Sequence, residues 1–476
     1  MKILQKLRET PDGWKTQPRE RLSYYFYFIG QNGVYQLVSC YMATYLLFLG
    51  INPLKSGAVV MVVKVWDAVN DALFGVIFDK IKFKSGKKYI PWLKVATCTI
   101  PITTILMFII PKALSDGGKL IWFAVAYLLW DAAFTFCDVP IFGIVTAMSD
   151  EVDERNSILS YKSIWSGIGS AISGAIATLT VSEYIGGRFA IVAVIVAAIA
   201  AGSMAPACFN LKERFVPEVD ERYTLSSMLH YLKGNKYLRI YYLGYFFYAS
   251  ASVSASLSLF TSYYVFNSSL VAGIAGVCEA VPALVCAALV PQLMRKIDKM
   301  TLYRICGILT VIAGLLFYFF GRTNIVVYCI LSVLKAVPVS CTGVIMFIFT
   351  ADCAEYGRYT TGINANGITF AIQSFMTKLT AAIAGSLGLT ILGMKFTGWQ
   401  NVSVENFEEL KELGITQSDR AVNVLWFIFA LVPVFGCFIA LIIWHFYKLT
   451  DKDVQIMLDC NNGKISHTDA ELALKK

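Results

Sequence analysis

Asp67, Asn70 and Asp71 stand inside "KVWDAVNDALFGVIFDK", residues 64–80, a stretch whose remaining residues are mostly apolar. On a helix Asp71 is four residues beyond Asp67, Asn70 three beyond it, and Lys64 three before it, so the four share one face. Carboxylate and amide oxygens replace the water shell of a hard cation such as Na+ or Li+, and a carboxylate can instead carry H+. A charge at the bilayer centre costs roughly 2.5–3.5 kcal/mol even on lenient scales, so two carboxylates there need a function or a partner. An inert Lys64–Asp67 pair is the competing reading, but one lysine does not offset two carboxylates and leaves Asn70 without a role. A second stripe, "WDAAFTFCDVPIF", puts Asp131, Thr135 and Asp138 at i, i+4 and i+7, adding a hydroxyl and two more carboxylates. For Asp131 a helix-packing or loop-facing role remains open.

Other polar residues interrupt apolar runs singly. Tyr24, Tyr27, Gln31 and Tyr35 recur on one face with Asn32 beside them, suited to stacking on sugar rings and bonding hydroxyls. Tyr24 is expected to be an interfacial anchor. Glu279, Lys335 and Lys378 are single charges, and a lone buried lysine calls for a carboxylate partner, such as Glu279 for Lys335. Gln373 offers donors and acceptors for hydroxyl groups. Gly167, Ser170, Ala171, Gly174, Gly385 and Gly388 are expected to form close-packing seams. Asp79, Arg295, Asp352, Glu355 and Arg358 lie near inner ends of apolar runs, where charge pairs can gate a moving bundle or simply be solvated.

The elements that must position these residues follow from composition. The chain has 476 residues, 57% hydrophobic and 15% charged, with a mean hydropathy of +0.61, the profile of an integral membrane protein. About twelve runs are long enough for a helix to cross the hydrocarbon layer: 23–49, 56–79, 89–111, 119–148, 158–181, 188–210, 237–264, 270–293, 302–320, 325–350, 366–393 and 422–447. They are too long and too poorly alternating for barrel strands, so the fold class is all-α. No cleavable leader is expected, because basic residues precede the first run. Lysine and arginine concentrate in the 80–88, 211–236 and 295–304 segments, which places both termini in the cytoplasm of a multi-pass plasma-membrane protein. The formal charge of +9 is then topology, and no nucleic-acid partner is implied. The twelve cysteines and three histidines form neither a disulfide framework nor a zinc site. The polar 211–236 linker separates a first six-helix bundle, 1–210, from a second, 237–450, followed by a tail, 451–476. Two pseudo-symmetric halves are the plan of many secondary carriers. No phosphate-binding loop is present, so no nucleotide, cofactor or enzymatic activity is expected, and the energy source is a gradient.

At this point the motifs are recognisable. "WDAVNDALFGVIFD" followed by "SGKKYIPW", with "TFCDVP", "ADCAEYG", "QSFMTK" and "YKLTD" in order along the chain, resembles the glycoside–pentoside–hexuronide:cation symporters of the major facilitator superfamily, the group that includes the melibiose carriers. The resemblance implies a cation site of Asp67, Asn70, Asp71 and Thr135, with Na+ held principally at Asp67 and Asp71, and Na+, Li+ or H+ as coupling ion. It implies substrate contacts from Asp138, Gln373 and Lys378, at positions where the family binds sugar. Departures fall in the sugar pocket: Gln31 and Asn32 stand in place of a lysine–aspartate pair, Ser163 with Lys162 beside it in place of an arginine, and Phe142 in place of a stacking tryptophan. A galactoside is therefore not the implied substrate. A pentoside, a hexuronide or another polar glycoside fits, and Lys335 or Lys378 is a candidate for a substrate carboxylate. Animal lysolipid carriers resemble the same family, so a lysolipid is the alternative cargo. A monomer in the bilayer is the expected working unit.

Overall fold

The computed structural model describes residues 14–81, 83, 86–215, 231–362 and 366–474. Helices run through each of the twelve apolar stretches. In the first half these are α1 (Pro18–Gln36), α2 (Met42–Phe48), α3 (Pro53–Lys80), α4 (Ile90–Met107), α5 (Asp116–Met148), α6 (Val152–Thr180) and α7 (Phe189–Asn210). In the second they are α8 (Lys236–Ser250), α9 (Ser254–Phe266), α10 (Leu270–Leu293), α11 (Lys299–Phe320), α12 (Ile325–Ile345), α13 (Ile348–Thr361) and α14 (Asn366–Leu392). A short α15 (Phe407–Glu412) precedes α16 (Asp419–Ala430) and α17 (Val432–Trp444), and the tail forms α18 (Asp451–Asn461) and α19 (His467–Leu474). Among the described residues nine helical spans are long and apolar enough to cross a membrane. The stretches outside those nine, α1–α2, α3 and α6, carry Gln31, Asn32, Asp67, Asn70 and Lys162, so polarity is concentrated in the helices of the candidate site.

Local sequence explains the helix ends and breaks. Ser115 caps α5 by accepting from Gly118 N at 3.2 Å, and Asn235, Asp298, Asn324 and Ser418 cap α8, α11, α12 and α16 in the same way. α1 passes into α2 through one π-helical turn, Leu37–Tyr41, a feature that often accompanies functional residues. Pro140 inside α5 withholds the N–H that would otherwise bond the carbonyl four residues back, close to Asp138.

The chain divides into two compact units. One holds 1–219 together with 268–270 and 393–417; the other holds 220–267, 271–392 and 418–476. In the first, α1 lies in contact with α6 and α7. A Cβ on Gly169 would stand 2.3 Å from Ile29 O, and one on Gly30 2.7 Å from Ala200 Cα; the backbones approach as only small residues allow. Gly167, read as a seam residue, has nothing within 4 Å of its Cβ position, because two residues along a helix turn a side chain to the far side. The added segments are held by directed bonds. Val404 N donates to Phe48 O at 2.8 Å, Phe407 N to Val181 O at 3.1 Å, and Asn406 Nδ2 to Gly186 O at 2.6 Å. Buried Glu183 accepts from Ser268 Oγ and Ser269 Oγ, both at 2.6 Å, and from Ser269 N. In the second unit, Trp444 packs edge-on to Tyr303 at 4.6 Å and donates its indole N–H to Tyr241 O at 3.1 Å.

Candidate functional site

α3 and α5 bring the first two stripes together. Asn70 Nδ2 donates to Asp131 Oδ2 at 2.8 Å and lies 3.4 Å from Thr135 Oγ1. Thr135 Oγ1 donates back to its own helix at Asp131 O, 3.0 Å. Asn70, Asp131 and Thr135 are each 3% exposed, so this is a buried cluster of oxygen and amide groups. Asp67 stands one turn before Asn70 on α3, within the electrostatic range of Lys64 and Tyr127. The side chain of Asp71, like that of Asp79 at the end of the same helix, lies outside the described residues. Of the four residues expected to hold a cation, the structure therefore joins Asn70 and Thr135. It adds Asp131 as their partner, through the i, i+4 spacing to Thr135 that was the available signal.

The sugar-pocket positions of the first unit meet one turn further along α5. Gln31 Nε2 donates to Asp138 Oδ1 at 2.8 Å, while Gln31 Oε1 is buried with no partner among the described residues. Asn32 Nδ2 reaches Ser166 Oγ on α6 at 3.1 Å and Phe28 O at 3.2 Å. Lys162 Nζ lies 4.5 Å from the Phe142 ring centroid and 5.0 Å from that of Phe28, a cation–π seat at the position where a stacking ring was expected. Exposed Ser163 turns back to Leu159 O at 3.3 Å. Tyr24 is not an interfacial anchor: it is fully buried, because α1 is covered by neighbouring helices, and its hydroxyl has no partner among the described residues. It sits instead in the electrostatic range of Asp138.

In the second unit, Lys335 Nζ stacks at 4.4 Å over Phe317 and 5.6 Å over Phe429, with Glu279 in electrostatic range. Gln373 and Lys378 lie five residues apart on α14, both partly buried, and Gln373 Oε1 has no partner among the described residues. The charges read as a gate form a clamp around the tail helix. Lys299 Nζ lies 2.6 Å from Asp352 and 3.3 Å from Asp451. Asn461 Nδ2 donates to Glu355 Oε2 at 2.9 Å, and Arg358 Nη2 donates to Asn461 O at 2.9 Å. Arg295 is exposed. Sequence reasoning missed Lys299 at the start of α11 and Asn461 of the tail as partners of α13; Asp451, within "YKLTD", carried a signal.

Residues 23–451 match the family model described as MFS/sugar transport protein. A glucuronide carrier protein homolog of Escherichia coli (strain K12) is 26% identical over 427 residues, covering 87% of this chain and 89% of that protein. An isoprimeverose transporter of Lactiplantibacillus pentosus is 24% identical over 453 residues, covering 92% and 90%. The solved nucleoside transporter NupG shares the fold with a TM-score of 0.62 at 13% identity, over 90% of this chain and 99% of that one.

Proposed function

Because the chain belongs to the MFS/sugar transport protein family and is a multi-pass membrane transporter, not an enzyme, we propose that it is a cation-coupled symporter. On this reading it imports a sugar or glycoside across the plasma membrane by alternating access, with both termini cytoplasmic. The observation that carries the reading is the shared use of α5. Thr135 and Asp131 meet Asn70 of α3 on the face that continues, one turn on, to Asp138, which meets Gln31 of α1. A cation drawn to the α3–α5 cluster and a hydroxylated substrate drawn to the α1–α5 pair act on the same rigid element. Na+ is the preferred ion, since the groups offered are oxygen ligands, with H+ carried by a carboxylate as the alternative. One cation crossing roughly 100 mV contributes about 2.3 kcal/mol, enough to support about a 50-fold solute gradient.

A hexuronide is the favoured cargo. Lys162, seated over the rings of Phe142 and Phe28, presents a cation beside the Asp138–Gln31 pair, and one of the two relatives named above, 26% identical, is a glucuronide carrier homolog. Lys335, seated over Phe317 with Glu279 in electrostatic range, and Lys378 are the other candidates for the substrate carboxylate.

The test is uptake by purified protein in proteoliposomes under imposed Na+, Li+ or proton gradients. The panel is a glucuronide, a pentoside, a neutral disaccharide and a lysolipid. Accumulation of the glucuronide, lost when an ionophore collapses the Na+ gradient, is expected. Sugar uptake indifferent to every cation gradient, or uptake of the lysolipid alone, overturns the reading.

A further inference from the structure

The role of Asp131 goes beyond the set of cation ligands implied by the family motifs. Its Oδ2 accepts from Asn70 Nδ2 at 2.8 Å, and the same nitrogen faces Thr135 Oγ1 at 3.4 Å. All three side chains are buried. An ionised carboxylate can only accept, so opposite Asp131 an asparagine is held with its NH2 group forward. With that nitrogen committed to Asp131 and Thr135, the planar amide offers its carbonyl oxygen, the one amide atom able to ligate a cation, on its other edge. Asp67 stands one turn before Asn70 on the same helix. Reversing the amide would set two electron-rich oxygens against each other at hydrogen-bond distance inside a region of low dielectric, which is unfavourable.

We propose that Asp131 is a positioning residue of the cation site: it locks the Asn70 amide so that its carbonyl oxygen is held ready for the cation. The inference rests on the cation-symport reading and adds to it the residue that sets cation affinity. A preorganised ligand loses less freedom on binding than one that rotates, so the lock acts on the cation half-saturation constant. The sugar contacts at Gln31 and Asp138 do not pass through Asn70, so substrate affinity at saturating cation is left alone.

The experiment compares Asp131→Ala and Asp131→Asn with the parent protein in proteoliposomes. It measures the Na+ concentration for half-maximal uptake and, separately, substrate KM at saturating Na+. Asp131→Ala frees the amide, and the Na+ constant is expected to rise about tenfold, equivalent to about 1.4 kcal/mol of cation binding, with substrate KM unchanged. Asp131→Asn keeps an oxygen acceptor for the Asn70 N–H and is expected to stay within about threefold of the parent, since a neutral hydrogen bond preserves the orientation. An unchanged Na+ constant in Asp131→Ala overturns the proposal. So does an Asp131→Asn protein as impaired as Asp131→Ala, because the carboxylate would then be a direct ligand. Should Asp131→Ala not insert, Asp131→Ser, whose shorter hydroxyl falls short of the amide, replaces it with the same expectation. If the parent protein itself shows no cation dependence, the symport reading fails instead, and the two failures are told apart by that control.

Discussion

Replacing Gly169 by alanine tests whether the α1–α6 seam sets the substrate site. The new methyl would stand 2.3 Å from Ile29 O and 2.7 Å from Ile29 Cα, where unstrained carbon contacts begin near about 3.5 Å, so the two helices must part by roughly 1 Å. Asn32 lies three residues beyond Ile29 and Ser166 three before Gly169, so their 3.1 Å bond is stretched to about 4 Å and lost. Overpacking of this kind costs about 1–3 kcal/mol, set against about 0.5–1 kcal/mol gained by removing a mid-helix glycine. Gly167→Ala, with nothing within 4 Å, should show only the gain. The two variants are therefore expected to differ by the clash alone, about 1–3 kcal/mol, in thermal unfolding of the detergent-solubilised protein. A displacement near 1 Å in a binding site can change its performance by up to about 100-fold, so Gly169→Ala should raise substrate KM at least tenfold while leaving Na+ half-saturation, set on α3 and α5, near the parent value. Equal behaviour of the two alanine variants in both measurements would refute the reasoning.

Asp71→Asn should abolish concentrative uptake while sparing downhill exchange; full accumulation by a correctly inserted Asp71→Asn protein would remove Asp71 from the cation site. Lys162→Gln should weaken inhibition of uptake by glucuronides about 10- to 100-fold, the worth of a charge-assisted bond, with neutral glycosides little affected; equal loss for both classes would count against a carboxylate contact. Burial pushes the Glu183 carboxyl up, but the hydrogen bonds from Ser268 and Ser269 outweigh it and hold the group below the usual carboxylate value. A depressed value stabilises the attachment fully above the unfolded value of about 4.3, and that contribution is lost as pH falls through the folded one. Thermal stability of the detergent-solubilised parent should therefore fall as pH drops below about 4, and Glu183→Gln should reduce that acid loss; an equal acid loss in parent and Glu183→Gln would contradict the assignment.

Periodicity made the helices legible, since twenty-residue apolar runs have one solution in a bilayer. It also showed which polar residues share a face: Asp67 with Asn70, and Asp131 with Thr135 and Asp138. What it did not carry was the partner of each face. The choice between a packing role and a site role for Asp131 depended on α3 lying against α5, a tertiary fact. The same holds for glycines: Gly167 and Gly169 look alike in sequence, yet only Gly169 meets a backbone. Long-range clamps were the least legible. Glu355 and Arg358 reach Asn461 more than a hundred residues away, and Glu183 reaches Ser268 and Ser269 across 85 and 86 positions, so no local pattern announces them.

Three of the helices that carry the candidate site, α1, α3 and α6, are outside the nine most apolar spans of the described residues, as a coupled carrier would require. A carboxylate mid-membrane is tolerated when a partner or a passing ion compensates it. Asp131 and Asp138 are each met by a neutral amide, from Asn70 and Gln31 respectively. At Asp138 the amide partner orients the carboxylate without cancelling its charge, so it can still accept from a substrate's hydroxyl groups, while at Asp131 it is the carboxylate that orients the amide. The two amides belong to different helices, α3 and α1, and both meet α5. If binding at the α3–α5 cluster changes the position of α5, the α1–α5 pair feels it directly, without a long pathway. Linkage then demands reciprocity: the factor by which cation raises substrate affinity equals the factor by which substrate raises cation affinity. On the symport reading, Asp138 and Asn70 would sit on opposite ends of that single coupling term, with α5 the element through which it acts.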